Sequence, residues 1–221
     1  MRTAATGRGQ RDTLRFDDGT RVVLGAVSTL RYPVPFGARA RDVYLVGEGY
    51  FEVSHDGRRP FRVHAGDATA EDLGTAFGVR AYAEDSTVRV VVAEGKVALG
   101  AATTGGVAAP RAILSPGELG RLARGTAVPS VQHVDVATYL GWTRGRLAFD
   151  DAPLADVVAE LARWYHADFR ITDASVETRR LTGSFTNTSL SDMLAALAPV
   201  LDVRFERIGD TVIVHRAARS P

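Results

Sequence analysis

Residues 13–24, Thr-Leu-Arg-Phe-Asp-Asp-Gly-Thr-Arg-Val-Val-Leu, decide the fold of the first half of the chain. Two short segments rich in strand-forming residues, 13–16 and 21–24, flank the turn Asp17-Asp18-Gly19. An Asp-Gly pair suits a type I′ turn, because both central residues of that turn need a positive φ. The stretch therefore predicts an antiparallel β-hairpin near the start of the chain.

The pattern of short strands and turns continues as far as residue 131. Further strand candidates lie at residues 43–46, 50–53, 61–63, 77–82, 88–93, 97–99 and 112–114. Turn signals fall between them, at Pro33, Gly47, Gly49, Gly66, Gly95 and Pro116-Gly117. Many short strands at regular spacing, with no helical period longer than a turn or two, are typical of an all-β sandwich, barrel or solenoid.

The last third of the chain contains an internal repeat with an offset of 36 residues, from Phe149 to Phe185. Residues 152–156 (Ala-Pro-Leu-Ala-Asp) match residues 188–192 (Thr-Ser-Leu-Ser-Asp). In both copies the apolar residues follow the spacing i, i+3, i+4, i+7, i+10, i+11, which places them on one face of an α-helix. These residues are Leu154, Val157, Val158, Leu161, Trp164 and Tyr165 in the first copy, and Leu190, Met193, Leu194, Leu197, Val200 and Leu201 in the second.

The ends of the two repeated helices carry their own signals. Pro153 fits the first helical position of the first copy, since its missing N–H costs nothing there. Thr188 is a suitable N-cap for the second copy. Alternating segments flank both helices, so each copy is predicted as strand–helix–strand on a small sheet. A shorter helix, at 134–142, is predicted between the two halves of the chain.

These patterns together predict a β-rich N-terminal domain, all-β and solenoid- or sandwich-like, followed by a small α+β C-terminal domain with a duplicated β-α-β unit. We expect a polar lead at 1–11, the all-β domain at 12–132, a linker helix at 133–145, the α+β domain at 146–216 and a tail at 217–221. The lead has no apolar signal-peptide core, and no apolar run is long enough to span a bilayer.

Composition and motifs argue against several functional classes. The chain has 27 basic and 26 acidic residues and no basic block, so no nucleic-acid partner is expected. It has no cysteine, which excludes disulfides and thiolate metal sites. The five histidines lack the spacing of metal ligands, and there is no Gly-x-Ser-x-Gly nucleophile motif. No metal, no cofactor and no catalytic residue is therefore predicted.

One peptide bond, Gly74–Thr75, is a candidate for self-cleavage. In a strained turn, a threonine hydroxyl can attack the preceding carbonyl in an N→O acyl shift, and the resulting ester then hydrolyses. Glycine favours this reaction because it admits backbone geometries that strain other residues. The alternative is an ordinary turn between two strands.

Several blocks, in this order along the chain, resemble the FecR family of anti-sigma factor regulators. The blocks are Asp18-Gly19-Thr20 before Val22-Val23-Leu24, Gly47-Glu48-Gly49-Tyr50-Phe51-Glu52-Val53, Leu73-Gly74-Thr75-x-Phe77-x-Val79-Arg80-Ala81-Tyr82, Glu94-Gly95-x-Val97 and Leu114-Ser115-Pro116-Gly117-Glu118. The repeated C-terminal unit is similar to the domain that follows FecR domains, which is related to the short N-terminal domain of secretins and TonB-dependent receptors. Gly78 departs from the pattern, because the family commonly has asparagine there.

The resemblance implies a signalling role in the periplasm. The signalling domain of a TonB-dependent outer-membrane transporter would bind the sensor, and a membrane helix would pass the signal to an extracytoplasmic-function sigma factor. Family members typically begin with a cytoplasmic anti-sigma segment and that helix, which anchors them in the inner membrane. The sigma factor is therefore expected to bind a segment absent from this chain. Some relatives are processed at the bond that matches Gly74–Thr75; apart from such a single-turnover reaction, no enzymatic activity is implied.

One expectation concerns a binding surface. The segment Thr211-Val212-Ile213-Val214 is the candidate for docking a partner strand, provided that it lies at the edge of its sheet. The alternative is an interior strand of the same sheet.

A competing hypothesis is a β domain that binds a small molecule, such as a sugar or a siderophore. Tyr32, Tyr44, Tyr50 and Tyr82 would line its pocket. Packing of these aromatic side chains within the strands explains them as well.

Overall fold

The computed structural model describes residues 1–37, 40–102, 110–186 and 189–217. The chain divides into two compact units, Met1–Thr143 and Arg144–Pro221. Over the described residues, the first unit is built from strands with one short α-helix at its end, and the second combines strands with two helices. The predicted fold class is therefore confirmed, whereas the finer division into lead, linker and tail stays a prediction.

The described part of the first unit contains thirteen strands in one sheet. They are β1 Arg2–Ala5, β2 Asp12–Arg15, β3 Arg21–Leu24, β4 Thr29–Tyr32, β5 Arg41–Glu52, β6 Phe61–Ala65, β7 Ala68–Asp72, β8 Ala76–Ala81, β9 Thr87–Glu94, β10 Val97–Ala101, β11 Arg111–Leu114, β12 Glu118–Ala123 and β13 Ser130–His133. The main path of the sheet is β11-β10-β7-β6-β5-β8-β9-β12-β13. Strands β3 and β4 also pair with β5, while β2 pairs with β3 and β1 with β4.

The sheet is nearly closed, and its inner face encloses one apolar core. Phe51, Phe61 and Phe77 are fully buried at its centre, with ring centroids 5.3 Å apart for Phe51 and Phe77 and 5.9 Å apart for Phe51 and Phe61. Aliphatic side chains from β3 to β12 complete the core. Burying one such side chain contributes about 1.5–3 kcal/mol, so this core holds the many short strands together.

The hairpin predicted at residues 13–24 is confirmed. Strands β2 and β3 pair antiparallel, with Leu14 opposite Val22. Gly19 takes a φ of +88° in the turn between them, which is the backbone region that favours glycine. Asp18 does not have a positive φ, so the expected type I′ turn is wrong although the hairpin forms.

The turn predicted between residues 43–46 and 50–53 is wrong, because β5 runs through this region as one strand of 12 residues. Gly47 has a φ of +104°, and a Cβ added to it would overlap the side chain of Ser28. The strand therefore bends at Gly47, where Ser28 packs closely against it, and does not end there. The pattern does not predict strands β1, β4, β7, β12 and β13. Of these, β1, β7 and β13 contain few large apolar side chains.

A short helix, α1 (Val136–Leu140), follows the last strand of the first unit and continues as a 3₁₀ turn, Gly141–Arg144. Asp135 caps α1 by accepting a hydrogen bond from the Ala137 N–H, at 3.0 Å. Leu140 lies over Gly78 of β8, where an added Cβ would be only 2.6 Å from Leu140 Cδ2. The missing side chain at Gly78 therefore makes room for the helix.

The described part of the second unit contains two small sheets and two α-helices around its own core. The strands are β14 Arg146–Pro153, β15 Asp168–Ile171, β16 Arg180–Thr186, β17 Val203–Ile208 and β18 Thr211–Arg216, and the helices are α2 Leu154–Trp164 and α3 Leu190–Leu201. Strand β14 pairs with β16, and the other sheet has the order β15-β18-β17. The duplicated strand–helix–strand order is present, but the expected single sheet is wrong. Each copy places its first strand in one sheet and its second strand in the other.

The apolar faces predicted for α2 and α3 point into this core, with one exception. Leu154, Leu161 and Leu197 are fully buried, whereas Val200 is 60% exposed and does not belong to the buried face. The N-cap of α3 is Ser189, whose hydroxyl accepts the Asp192 N–H at 3.2 Å; the predicted cap, Thr188, lies outside the described residues. Among the described residues, no helix is both long enough and apolar enough to cross a membrane.

Candidate functional site

The Gly74–Thr75 bond lies in the connection between β7, which ends at Asp72, and β8, which begins at Ala76. Gly74 has a φ of +102°, a conformation that strains other residues. The Thr75 carbonyl accepts a hydrogen bond from the Val53 N–H at 3.0 Å, which ties the connection to the end of β5. Thr75 itself is buried, with 6% of its surface exposed.

A single carboxylate, that of Asp72, organises this turn. Its Oδ1 atom accepts hydrogen bonds from the Gly74 N–H, at 2.9 Å, and from the Thr75 hydroxyl. Asp72 is 5% exposed, and this burial raises its pKa above the usual range, while the hydrogen bonds from Thr75 and Gly74 and the positive charge of Arg41 oppose the rise.

Two neighbours, Gly95 and His55, pack closely against the Gly74–Thr75 bond. A Cβ added to Gly95 would overlap the Gly74 carbonyl oxygen and lie 2.7 Å from Thr75 Cγ2, so the carbonyl occupies the space that this glycine leaves free. On the other side, a Cβ added to Gly74 would be 2.9 Å from Nδ1 of His55. The bond therefore sits between the imidazole of His55 and the backbone of Gly95.

The loop that carries His55 is held by a buried arginine. Arg41 is 1% exposed. Its Nε donates to the Arg59 carbonyl and its Nη1 to the Ser54 carbonyl, both at 2.6 Å. The same Nη1 lies 3.2 Å from Oδ2 of Asp18, in the first hairpin. Because these bonds fix both ends of the loop, Arg41 also fixes the position of His55 beside Gly74.

Sequence reasoning identified Gly74 and Thr75, and the structure places both in one tight turn. It missed Asp72, Gly95 and Arg41. Asp72 had a detectable signal, because a carboxylate three residues before a threonine can accept its hydroxyl in a turn. Gly95 and Arg41 come from distant parts of the chain, and only the fold brings them to the bond. No group of three side chains suited to hold a metal ion occurs among the described residues.

The predicted docking segment, Thr211 to Val214, is not at a sheet edge. It forms most of β18, which pairs with β15 on one side and β17 on the other. Val212 and Val214 are fully buried. The prediction of an edge strand is therefore wrong and the interior alternative applies. Strong strand formers such as Val and Ile suit an interior position as well as an edge.

The four tyrosines proposed to line a small-molecule pocket lie in different surroundings. Tyr32 packs against Phe16 at the core, with ring centroids 5.0 Å apart. Tyr82 is buried and donates its hydroxyl to the Ala26 carbonyl at 2.7 Å. Tyr44 is exposed and stacks on His64. These contacts account for three of the four rings as packing within and on the sheet; Tyr50 lies on β5, half-buried.

Comparisons with known proteins agree with this architecture. A family model described as "FecR protein" matches residues 2–98, and one described as "FecR, C-terminal" matches residues 146–214. A crystal structure of a candidate anti-sigma factor from Parabacteroides distasonis, at 1.65 Å resolution, has a TM-score of 0.89 and 26% identity, and the match covers 99% of this chain and 100% of that chain. A second one from the same organism, at 2.50 Å, has a TM-score of 0.88 and 26% identity over 98% of this chain and 99% of that chain. No curated protein matches the chain.

Proposed function

Because this chain belongs to the FecR family of anti-sigma regulators, we propose that it is the periplasmic sensor of such a regulator. In this role it receives a signal from the signalling domain of a TonB-dependent outer-membrane transporter. It passes the signal on to an extracytoplasmic-function sigma factor, which binds a separate anti-sigma segment. The family is one of regulators that act by binding a sigma factor rather than by turning over a substrate.

One observation carries the proposal. Both family models match in the expected order, and each falls on one of the two compact units. A stranded unit followed by a small α+β unit is also the arrangement of the similar anti-sigma structure, along its whole length. A sensor and a docking unit in one chain fit a protein that receives a signal from a partner.

The C-terminal unit is the docking part in this proposal. Since β18 is interior, the partner strand is proposed to add to β17, the longer of the two outer strands of that sheet, with six residues against four in β15. An outer strand offers backbone N–H and C=O groups that a partner strand can pair with. Arg207 is exposed on β17. Ile208 and Thr211 are the paired residues that flank the two-residue turn between β17 and β18. They exchange hydrogen bonds with each other, so the N–H and C=O groups of the next residue, Arg207, point away from β18.

Binding to the transporter's signalling domain tests the relay. The purified chain should form a complex with the signalling domain of a TonB-dependent transporter encoded beside it. Arg207→Pro removes an outward N–H and should weaken this complex at least about tenfold. Arg207→Ala removes the same side chain but keeps the N–H, and should bind like the wild type. Equal affinities of all three proteins would exclude β17 from the interface, and the absence of any complex would overturn the relay itself.

Self-cleavage at Gly74–Thr75 is the second part of the proposal. It is supported by the positive φ of Gly74 and by the hydrogen bond that the Thr75 hydroxyl donates to Asp72. An intact-mass measurement should find two fragments that meet at this bond, and Thr75→Ala should give a single full-length mass. Thr75→Ser keeps a hydroxyl and should still be cleaved. A wild-type protein that keeps its full mass would refute self-cleavage and leave the relay unaffected.

A further inference from the structure

An N→O acyl shift moves one proton between two atoms of the same residue. The hydroxyl of Thr75 loses its proton when it attacks, and the nitrogen of Thr75 gains one when its bond to the Gly74 carbonyl breaks. The hydroxyl donates a hydrogen bond to Oδ1 of Asp72, and the same oxygen accepts the backbone N–H of Gly74, so the carboxylate lies against both residues of the bond. One buried side chain therefore touches the atom that loses the proton, and the atom that gains it belongs to the same residue.

We propose that Asp72 is a catalytic residue that shuttles the proton from Thr75 Oγ1 to Thr75 N during cleavage. The inference rests on the self-cleavage proposed above. In the first step, Thr75 Oγ1 bonds to the Gly74 carbonyl carbon as Asp72 takes the hydroxyl proton. In the second step, the bond between that carbon and Thr75 N breaks as protonated Asp72 returns the proton to the nitrogen. The product is an ester that joins Gly74 to the side chain of Thr75.

Water completes the reaction without any other reactant. It adds to the ester carbonyl, and the bond to Thr75 Oγ1 breaks. Gly74 then ends in a carboxyl group, and Thr75 begins the second fragment with its hydroxyl restored and a free amine. Asp72 leaves the sequence of steps in the form in which it entered.

The surroundings of Asp72 suit a base. Since Asp72 is buried, few waters compete for its oxygens, and a carboxylate that is desolvated in this way takes a proton more readily. The Gly74 carbonyl, which is the group attacked, packs against the backbone of Gly95 in space that a side chain there would fill. This contact holds the carbonyl in place. A fixed geometry between nucleophile, base and carbonyl is what an intramolecular attack requires.

A purely structural role for Asp72 is the competing explanation, because its hydrogen bonds also hold the turn together. Asp72→Asn distinguishes the two. Asparagine keeps an oxygen that can accept from Gly74 and Thr75, but it cannot take up a proton at neutral pH. The matched control is Glu71→Gln on the same strand. The Glu71 carboxylate pairs with Arg62 and Arg111, and among the described residues no hydrogen bond joins it to Thr75.

The test is the rate of fragment formation after synthesis of the full chain, followed by intact mass at a series of pH values. Asp72→Asn should slow cleavage by about 100-fold or more, the usual contribution of a positioned base, whereas Glu71→Gln should cleave like the wild type. In the wild type the rate should rise with pH through the raised pKa of Asp72, and this rise should vanish in Asp72→Asn. Thermal unfolding checks that each variant is folded.

Three results would overturn the inference. If the wild type and Asp72→Asn cleave equally fast, Asp72 has no such role although self-cleavage stands. If Asp72→Asn is slow but keeps the wild-type pH profile, the carboxylate acts only by holding the turn. If the wild type is never cleaved, both the proposed self-cleavage and the role of Asp72 fall together.

Discussion

Replacing Gly95 by alanine tests whether the packing around the Gly74–Thr75 bond is as tight as the structure indicates. Gly95 has a φ of +77°, and its added Cβ would overlap the Gly74 carbonyl oxygen. Gly117 supplies a matched control, because its φ is +84° and no atom lies within 4 Å of an added Cβ. Both substitutions therefore carry the same backbone strain, and only Gly95→Ala adds a collision.

The free-energy cost of the backbone strain can be estimated separately from the cost of the collision. An alanine in the left-handed region costs about 1–2 kcal/mol, which is the whole effect expected for Gly117→Ala. In Gly95→Ala the Gly74 carbonyl must also move by about 1 Å to reach an ordinary contact distance, and such overpacking typically adds about 1–3 kcal/mol. We therefore expect Gly95→Ala to lower the free energy of unfolding by about 2–5 kcal/mol in total.

Urea unfolding of the first unit measures this difference. It is followed by Trp142 fluorescence in a background with Thr75→Ala, which keeps the chain intact, and Trp164→Phe, which silences the second unit. Fragment formation is the second readout, because a displaced carbonyl is no longer aligned with the Thr75 hydroxyl. Gly95→Ala should slow cleavage, and Gly117→Ala should not. The reasoning is refuted if the two alanine variants lose the same stability to within about 0.5 kcal/mol and cleave at the same rate.

Three further predictions use the same unfolding assay. Gly78→Ala and Leu140→Ala should each destabilise the first unit by about 1–3 kcal/mol, and the double variant should lose clearly less than the sum, since the smaller residue 140 accommodates the new Cβ; additive losses would contradict the contact. Because burial raises the pKa of Asp72, the folded state holds its proton more tightly than the unfolded chain. The wild type should therefore lose stability relative to Asp72→Asn as the pH rises from the ordinary aspartate pKa through the raised one, and a pH-independent difference would contradict this. Arg41→Met should cost about 3–5 kcal/mol, since the carbonyls of Ser54 and Arg59 lose their donor in a buried site, and a loss below about 1 kcal/mol would show that the arginine is dispensable.

Local patterns predicted those parts of the fold that neighbours in sequence determine. The Asp18-Gly19 turn gives the first hairpin, and the spacing of Leu154, Val157 and Leu161 gives the buried face of α2, because a hairpin and a helix are made within one short segment. The bend at Gly47 was not predictable in the same way. A glycine between two apolar segments is typical of a turn. Only the fold brings the side chain of Ser28, just before β4, against Gly47, where the strand bends and then continues.

The position of β18 shows the same limit at the level of the sheet. The sequence of Thr211 to Val214 is equally compatible with an edge and with an interior strand, because both positions favour β-branched residues. What decides the matter is that β15, some forty residues earlier, pairs in parallel with β18. The candidate site is also only partly predictable from the sequence. Thr75 is recognisable there, whereas Gly95 and Arg41 are brought to the site only by the fold.

A turn that only joins β7 to β8 does not need a charged residue at position 72. If the turn served only to join β7 to β8, asparagine would supply the same acceptor for the Gly74 N–H and the Thr75 hydroxyl without the cost of a buried carboxylate. The hydrogen bonds to Asp72 and the charge of Arg41 offset part of that cost, yet burial still dominates and raises its pKa. A carboxylate that lowers the stability of the fold, and that accepts a hydrogen bond from the hydroxyl that must lose a proton, is the arrangement expected of a group that is present for its chemistry.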